Sequence, residues 1–147
     1  MAIPRASHDY ACGAAALLLA LAPLVAGAAD DFKARLAPVP IDATNSATTT
    51  GVGSATARLD GTTLKLNGSF GGLHGPATVA QLHDGVATGV RGPAIADFTV
   101  PQTQSGSFSA ELKLTAEQAE ALRRGRIYIQ IHSSSAPDGN LWGWLLP

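Results

Sequence analysis

From Phe32 onward the chain alternates apolar and polar side chains with a period of two, and this alternation constrains the fold more than any other feature. Successive side chains of a strand point to opposite faces, so the pattern describes ribbons with one buried and one wetted side. Phe32, Ala34 and Leu36 alternate with Lys33 and Arg35 until Pro38 and Pro40 stop the run. Thr48–Leu59 is a Thr-rich strand with a weak core face. Asp60-Gly61, a tight-turn dipeptide, separates it from Thr63–Phe70, where Leu64, Leu66 and Phe70 share one face. The two segments are expected to form a hairpin. Further strands are expected at Ala77–His83, Ala94–Val100, Gly106–Leu114, Arg126–His132 and Leu141–Leu146, divided by loops rich in Gly and Pro.

One stretch departs from the pattern. Thr115–Gly125 reads as a short helix: Thr115 and Gln118 make a capping box, and Gly125 is a left-handed stop. Glu117 and Glu120 precede Arg123 and Arg124, as the helix dipole favours. About eight strands and one short helix, without strand–helix alternation, predict an all-β antiparallel sandwich or Greek-key barrel. A parallel nucleotide-binding sheet is excluded on the same ground.

The apolar excess behind the mean hydropathy of +0.14 sits at the N-terminus. Ala14–Val25 follows Arg5, is interrupted by Pro23 and ends in the A-x-A pattern Ala26-Gly27-Ala28. A spanning helix needs ~20 apolar residues. The segment therefore reads as a cleaved export signal over residues 1–28, with a retained anchor as the alternative. One domain remains, residues 29–147, placed in the periplasm or outside the cell and without a membrane span after cleavage. The single cysteine, Cys12, lies in the leader. The domain is thus no disulfide scaffold, thiol enzyme or Cys-ligated zinc module. Ten basic against eleven acidic residues give a charge of −1, which argues against nucleic acid or a membrane surface as partner.

The histidines after residue 28 are His74, His83 and His132. Two close identical strings, Gln81-Leu82-His83 and Gln130-Ile131-His132. Val79, Gln81 and His83 share one face of their strand, and Tyr128, Gln130 and His132 one face of theirs. Ile127, Ile129 and Ile131 take the other side, toward the core. If the two strands pair, both imidazoles are expected at one end of the sheet. The plainer reading makes them hydrogen-bond partners of loop carbonyls or of Asp84 and Asp138. The sharper one is a copper or zinc site with His74 as a third ligand, although two strand histidines fall short of the usual three. Ser133-Ser134-Ser135 follows His132 directly, which is no triad geometry. Carboxylates are scattered, so no glycosidase pair is indicated. Trp142 and Trp144 share a face of the last strand and either cover a barrel end or form a binding surface for a carbohydrate or protein partner.

The stretch Leu73–Pro93 resembles the CHRD domain, a module of chordin and of exported bacterial proteins, with His83 on the second histidine of its strand motif. Gly89, Gly92 and Pro93 match its loop. Leu114–Leu122, Gly125 and Tyr128–His132 are similar to its later run, and Pro137, Gly139 and Gly143 to its ending. Phe32–Leu36 and Thr50-Gly51 fit its start, so the likeness spans about Phe32–Leu146. Three residues depart: Gln81 stands where a first histidine is common, Asn140 where an acid is usual, and Trp142 where an arginine is frequent. The resemblance implies an immunoglobulin-like β-barrel or sandwich with no settled biochemical activity. The expectation is an exported, non-enzymatic structural or binding module without a cofactor. The alternative is an exported copper- or zinc-binding protein using His83, His132 and His74. A dismutase-like enzyme fits less well, because three histidines cannot supply both metal sites of a copper–zinc dismutase.

Overall fold

The computed structural model describes residues 29–147, and the export-signal stretch with Arg5 and Cys12 lies outside the described residues. The elements are β1 (Asp30–Pro38), β2 (Val52–Asp60), β3 (Thr63–Gly71), β4 (Ala77–Asp84), β5 (Ala94–Phe98), β6 (Gly106–Lys113), α1 (Ala116–Arg123), β7 (Ile127–Ser133) and β8 (Ala136–Trp144). They form one antiparallel eight-stranded sheet in the order β5-β4-β7-β8-β1-β2-β3-β6. Its edge strands meet through Phe98 and Phe108, whose rings lie 5.5 Å apart, so the sheet curls into a nearly closed barrel. The all-β antiparallel expectation holds, with one short helix.

Burial follows the alternation. Phe32, Ala34 and Leu36 of β1 meet Ala55, Ala57 and Leu59 of β2 and Leu64, Leu66 and Phe70 of β3 inside the barrel. Ile127, Ile129 and Ile131 of β7 are fully buried at 0% exposure. Each contributes on the order of 1.5–3 kcal/mol relative to an exposed side chain. The hairpin turn falls one residue later than the dipeptide suggests: Asp60 pairs with Thr63, and Gly61-Thr62 make the loop. β1 pairs with β2 up to Leu36, then passes to β8 through Ala37 and Pro38, so one strand belongs to both halves of the wall. The capping box at Thr115 and Gln118 is formed, and Ala119, Ala121 and Leu122 face the barrel.

Two strand boundaries depart from expectation. β2 starts at Val52 rather than Thr48. Residues 42–49 are taken up by a turn in which Asp42 Oδ1 accepts from the Thr44 and Asn45 amides, while Asn45 Oδ1 accepts from the Asp42 amide. Short polar side chains there offer the backbone an alternative to the ladder. β8 begins at Ala136, five residues before Leu141, because the strand bulges. Ser133 pairs with Ala136 and Ile131 with Leu141, which leaves His132 alone opposite the four residues Pro137–Asn140. Pro137 and Gly139 read as loop residues, yet a bulge tolerates both.

Candidate functional site

β4, β7 and β8 lie side by side, and the residues facing away from the Ile core form rows across them. His83 pairs with Tyr128 and Tyr128 with Trp144; Gln81 pairs with Gln130 and Gln130 with Trp142. His132 stands opposite Val79. The strands do pair, but the expectation that both imidazoles share one sheet end is overturned. Each histidine closes its own strand, and antiparallel neighbours end at opposite sides. Four residues of ladder separate the rows of His83 and His132, roughly 13 Å at ~3.3 Å per residue. His74 sits exposed in the β3–β4 loop, where its carbonyl accepts from Gln104 Nε2 at 2.8 Å. No group of three or more His, Cys, Asp or Glu is placed to hold a metal ion among the described residues.

The Gln130-x-His132 string serves the bulge. Pro137 and Asp138 lose their ladder partners, and their carbonyls are met instead by His132 Nδ1 at 2.7 Å and Gln130 Nε2 at 3.1 Å. Backbone acceptors removed from a ladder need such partners. The other side of the His132 ring touches Gln81: Nε2 lies 2.9 Å from Gln81 Oε1, and Gln81 Nε2 donates to Asp97 Oδ1 at 2.9 Å. A chain of side chains thus ties β5 to β8. Asp84 pairs with Arg126 at 2.8 Å instead of with a histidine. Ser133 is fully buried and donates to Asn140 Oδ1 at 2.9 Å.

His83 serves a different loop. Its Nδ1 lies 3.0 Å from the Gly92 carbonyl, to which Tyr128 also donates through its hydroxyl at 3.3 Å. Its ring stacks on Tyr128 with centroids 4.7 Å apart, and Nε2 is buried without a partner among the described residues. Burial pushes the imidazole pKa below its ordinary 6.5, opposed by the Gly92 carbonyl and assisted by the charges of His132 and Arg91. A base with a depressed folded pKa contributes stability above its unfolded value and loses it as pH falls through the folded one. Urea unfolding midpoints should therefore decline below pH 6.5, and His83→Gln should flatten that decline. Equal slopes in both proteins would refute the assignment.

Tyr128 is 1% exposed although it faces away from the main core. Trp144 covers it at 4.7 Å, Trp142 meets it edge-on at 6.0 Å, and the two indoles contact each other at 4.6 Å. Arg91 lies over Trp142, 5.1 Å from the ring centre. This is a second, aromatic core on the outside of the sheet, with both tryptophans left half-exposed. Trp142 and Trp144 were legible as a shared face. Arg91 and Asp97 were not, since a single charge in or beside a Gly-rich loop carries no pattern.

The motif glycines and prolines hold the loops around this face. Gly89 and Gly92-Pro93 shape the β4–β5 loop, where the Pro93 carbonyl accepts from the Asp84 amide. The Gly125 carbonyl accepts from Thr88 at 2.8 Å, and Gly139 packs on the Gln130 amide. A side chain at Gly143 would overlap the Arg35 carbonyl, so glycine lets β1 cross close to β8.

A family model, the CHRD domain, matches residues 32–145. Comparisons with curated proteins and with solved structures return no match. The matched span runs from the first core residue of β1 to just beyond β8 and takes in every row of the aromatic face; the chain belongs to the CHRD domain family.

Proposed function

We propose that the domain is an exported, non-enzymatic binding module that needs no cofactor and meets its partner with the face bearing Trp142 and Trp144. The observation that carries this reading is that most polar groups of that face are bonded within the protein, although His83 Nε2, Gln130 Oε1 and Trp144 Nε1 are buried without a partner among the described residues. His132, Gln130 and Gln81 are bound to two loop carbonyls and to one another, and His83 to a third carbonyl. The partly buried rings of Trp142 and Trp144 are the part of the face that reaches the surface for contact with a partner. Among the described residues no hydroxyl is hydrogen-bonded to a histidine, and Ser133, next to His132, turns to Asn140. Against the copper or zinc reading stands the four-residue separation of the His83 and His132 rows on the ladder.

The full chain should be produced with its leader and recovered from the exported fraction. N-terminal sequencing is expected to begin at Ala29. The recovered protein is expected to show no ester hydrolysis and no superoxide dismutation with added copper. Turnover abolished by His83→Gln or His132→Gln would overturn the reading. So would binding of Cu²⁺ or Zn²⁺ tighter than about micromolar that depends on those residues.

A further inference from the structure

Beside the aromatic face lies a cleft of ≈ 320 Å³, between the turn at residues 42–49 and the β7–β8 hairpin. This is at the low end of the roughly 300–1,000 Å³ typical of small-ligand sites. Arg91 lines one side of it and lies over Trp142 with the other, so the cleft continues onto the tryptophans.

Three features of its wall point to a ligand. Thr49 lines the cleft at 2% exposure, and its Oγ1 is buried with no partner among the described residues. Buried hydroxyls are normally paired, and this one has no partner among the described residues. No carboxylate among the described residues lies within ion-pair distance of Arg91. Its guanidinium donates no hydrogen bond among the described residues, and it stacks only on Trp142. On the same turn as Thr49, Asp42 accepts from the Thr44 hydroxyl and amide, which also hold its carboxyl below the ordinary carboxylate range. Asp138 adds a second carboxylate.

We propose that this cleft binds a neutral saccharide, with further sugar units running over Arg91 onto Trp142 and Trp144. The proposal rests on the binding-module reading and names its ligand class. Sugar hydroxyls both donate and accept, which matches a cleft lined by two carboxylates, a guanidinium and a threonine hydroxyl. Two carboxylates against one guanidinium disfavour a polyanion. The C–H faces of sugar rings suit half-exposed indoles, as an amphipathic aromatic surface requires.

The test titrates the exported chain with cellotetraose, maltotetraose and chitotetraose, and with tetragalacturonate as the anionic counterpart. Binding is read by saturation-transfer NMR and tryptophan fluorescence. At least one neutral tetrasaccharide should bind with a Kd of about 0.1–1 mM. Thr49→Val, which keeps the side-chain shape, should weaken it about threefold to tenfold, as should Arg91→Ala. Lys65→Ala, remote from the cleft on β3, should leave it unchanged. Binding of tetragalacturonate alone would overturn the proposal, as would no binding of any neutral probe, or binding indifferent to both Thr49→Val and Arg91→Ala. Turnover and metal affinity are measured separately, so the module reading and its saccharide ligand fail independently.

Discussion

Asn140→Asp is expected to destabilise the domain by on the order of 3–5 kcal/mol at neutral pH, the loss seen when a charge is buried without a partner. Asn140 is fully buried at 0% exposure. Its Nδ2 donates to the Thr50 carbonyl, its Oδ1 accepts from Ser133 at 2.9 Å, and its own carbonyl accepts from the Val39 amide at 3.0 Å. One side chain therefore pins the β1–β2 loop to the β7–β8 hairpin. The site is built for an amide, because it faces an acceptor on one side and a donor on the other. Aspartate keeps the acceptor but sets a carboxylate against the Thr50 carbonyl. Burial raises such a carboxyl above its ordinary ~3.9, so the folded state holds the proton more tightly. The variant should therefore be least impaired at acid pH and lose stability as pH rises through its folded pKa. Urea unfolding of both proteins across that range checks the sign. A deficit that stays below about 1 kcal/mol at neutral pH, or grows toward acid, would contradict it.

The resemblance places an acid where this chain has Asn140, and the structure shows why the amide suits this particular chain. Thr50 closes the loop just before β2 and turns its carbonyl inward, so a donor is needed at that point. Nothing in the sequence pattern near residue 140 announces the contact, since its partner is 90 residues away. Thr49 was hidden too, a threonine in a run of small polar residues that folds to 2% exposure.

What could be read was the face each strand buries. Phe32, Leu64, Leu66 and the three isoleucines of β7 lie where alternation places them, because a slip of one residue would turn a whole apolar set to water. The capping box of α1 was equally plain, as both its residues lie within one turn. Pairing between strands distant in sequence was not. β4 and β7 are neighbours, and their direction decides that Gln81 meets Gln130 while the histidines part to opposite ends. Two identical strings thus hold two different loops, His83 at Gly92 and His132 at Pro137. Local spacing cannot express that difference, since it depends on which carbonyls a bulge and a loop release.

Gly92→Ala is expected to cost about 2–4 kcal/mol and to loosen the aromatic face. A Cβ at Gly92 would overlap the Asp84 carbonyl, and Gly85 Cα lies just beyond it at 2.9 Å. Both obstacles are backbone, so the β4–β5 loop must shift as a unit. That shift moves the carbonyl shared by His83 Nδ1 and the Tyr128 hydroxyl, leaving buried polar groups unpaired. It also carries Arg91 off Trp142, so the near-ultraviolet circular dichroism of the Trp–Tyr cluster should weaken together with the unfolding midpoint. Gly89→Ala supplies the contrast. Gly89 lies in the same loop at φ +84°, but a Cβ there meets nothing within 4 Å. Its alanine variant should cost only the ~1–2 kcal/mol of a left-handed conformation and leave the aromatic signal intact. If the two variants lose equal stability and signal, close packing at Gly92 is not what holds the loop over Tyr128. If only Gly92→Ala dims the aromatic signal, the Gly92 carbonyl is the point that fixes the aromatic face.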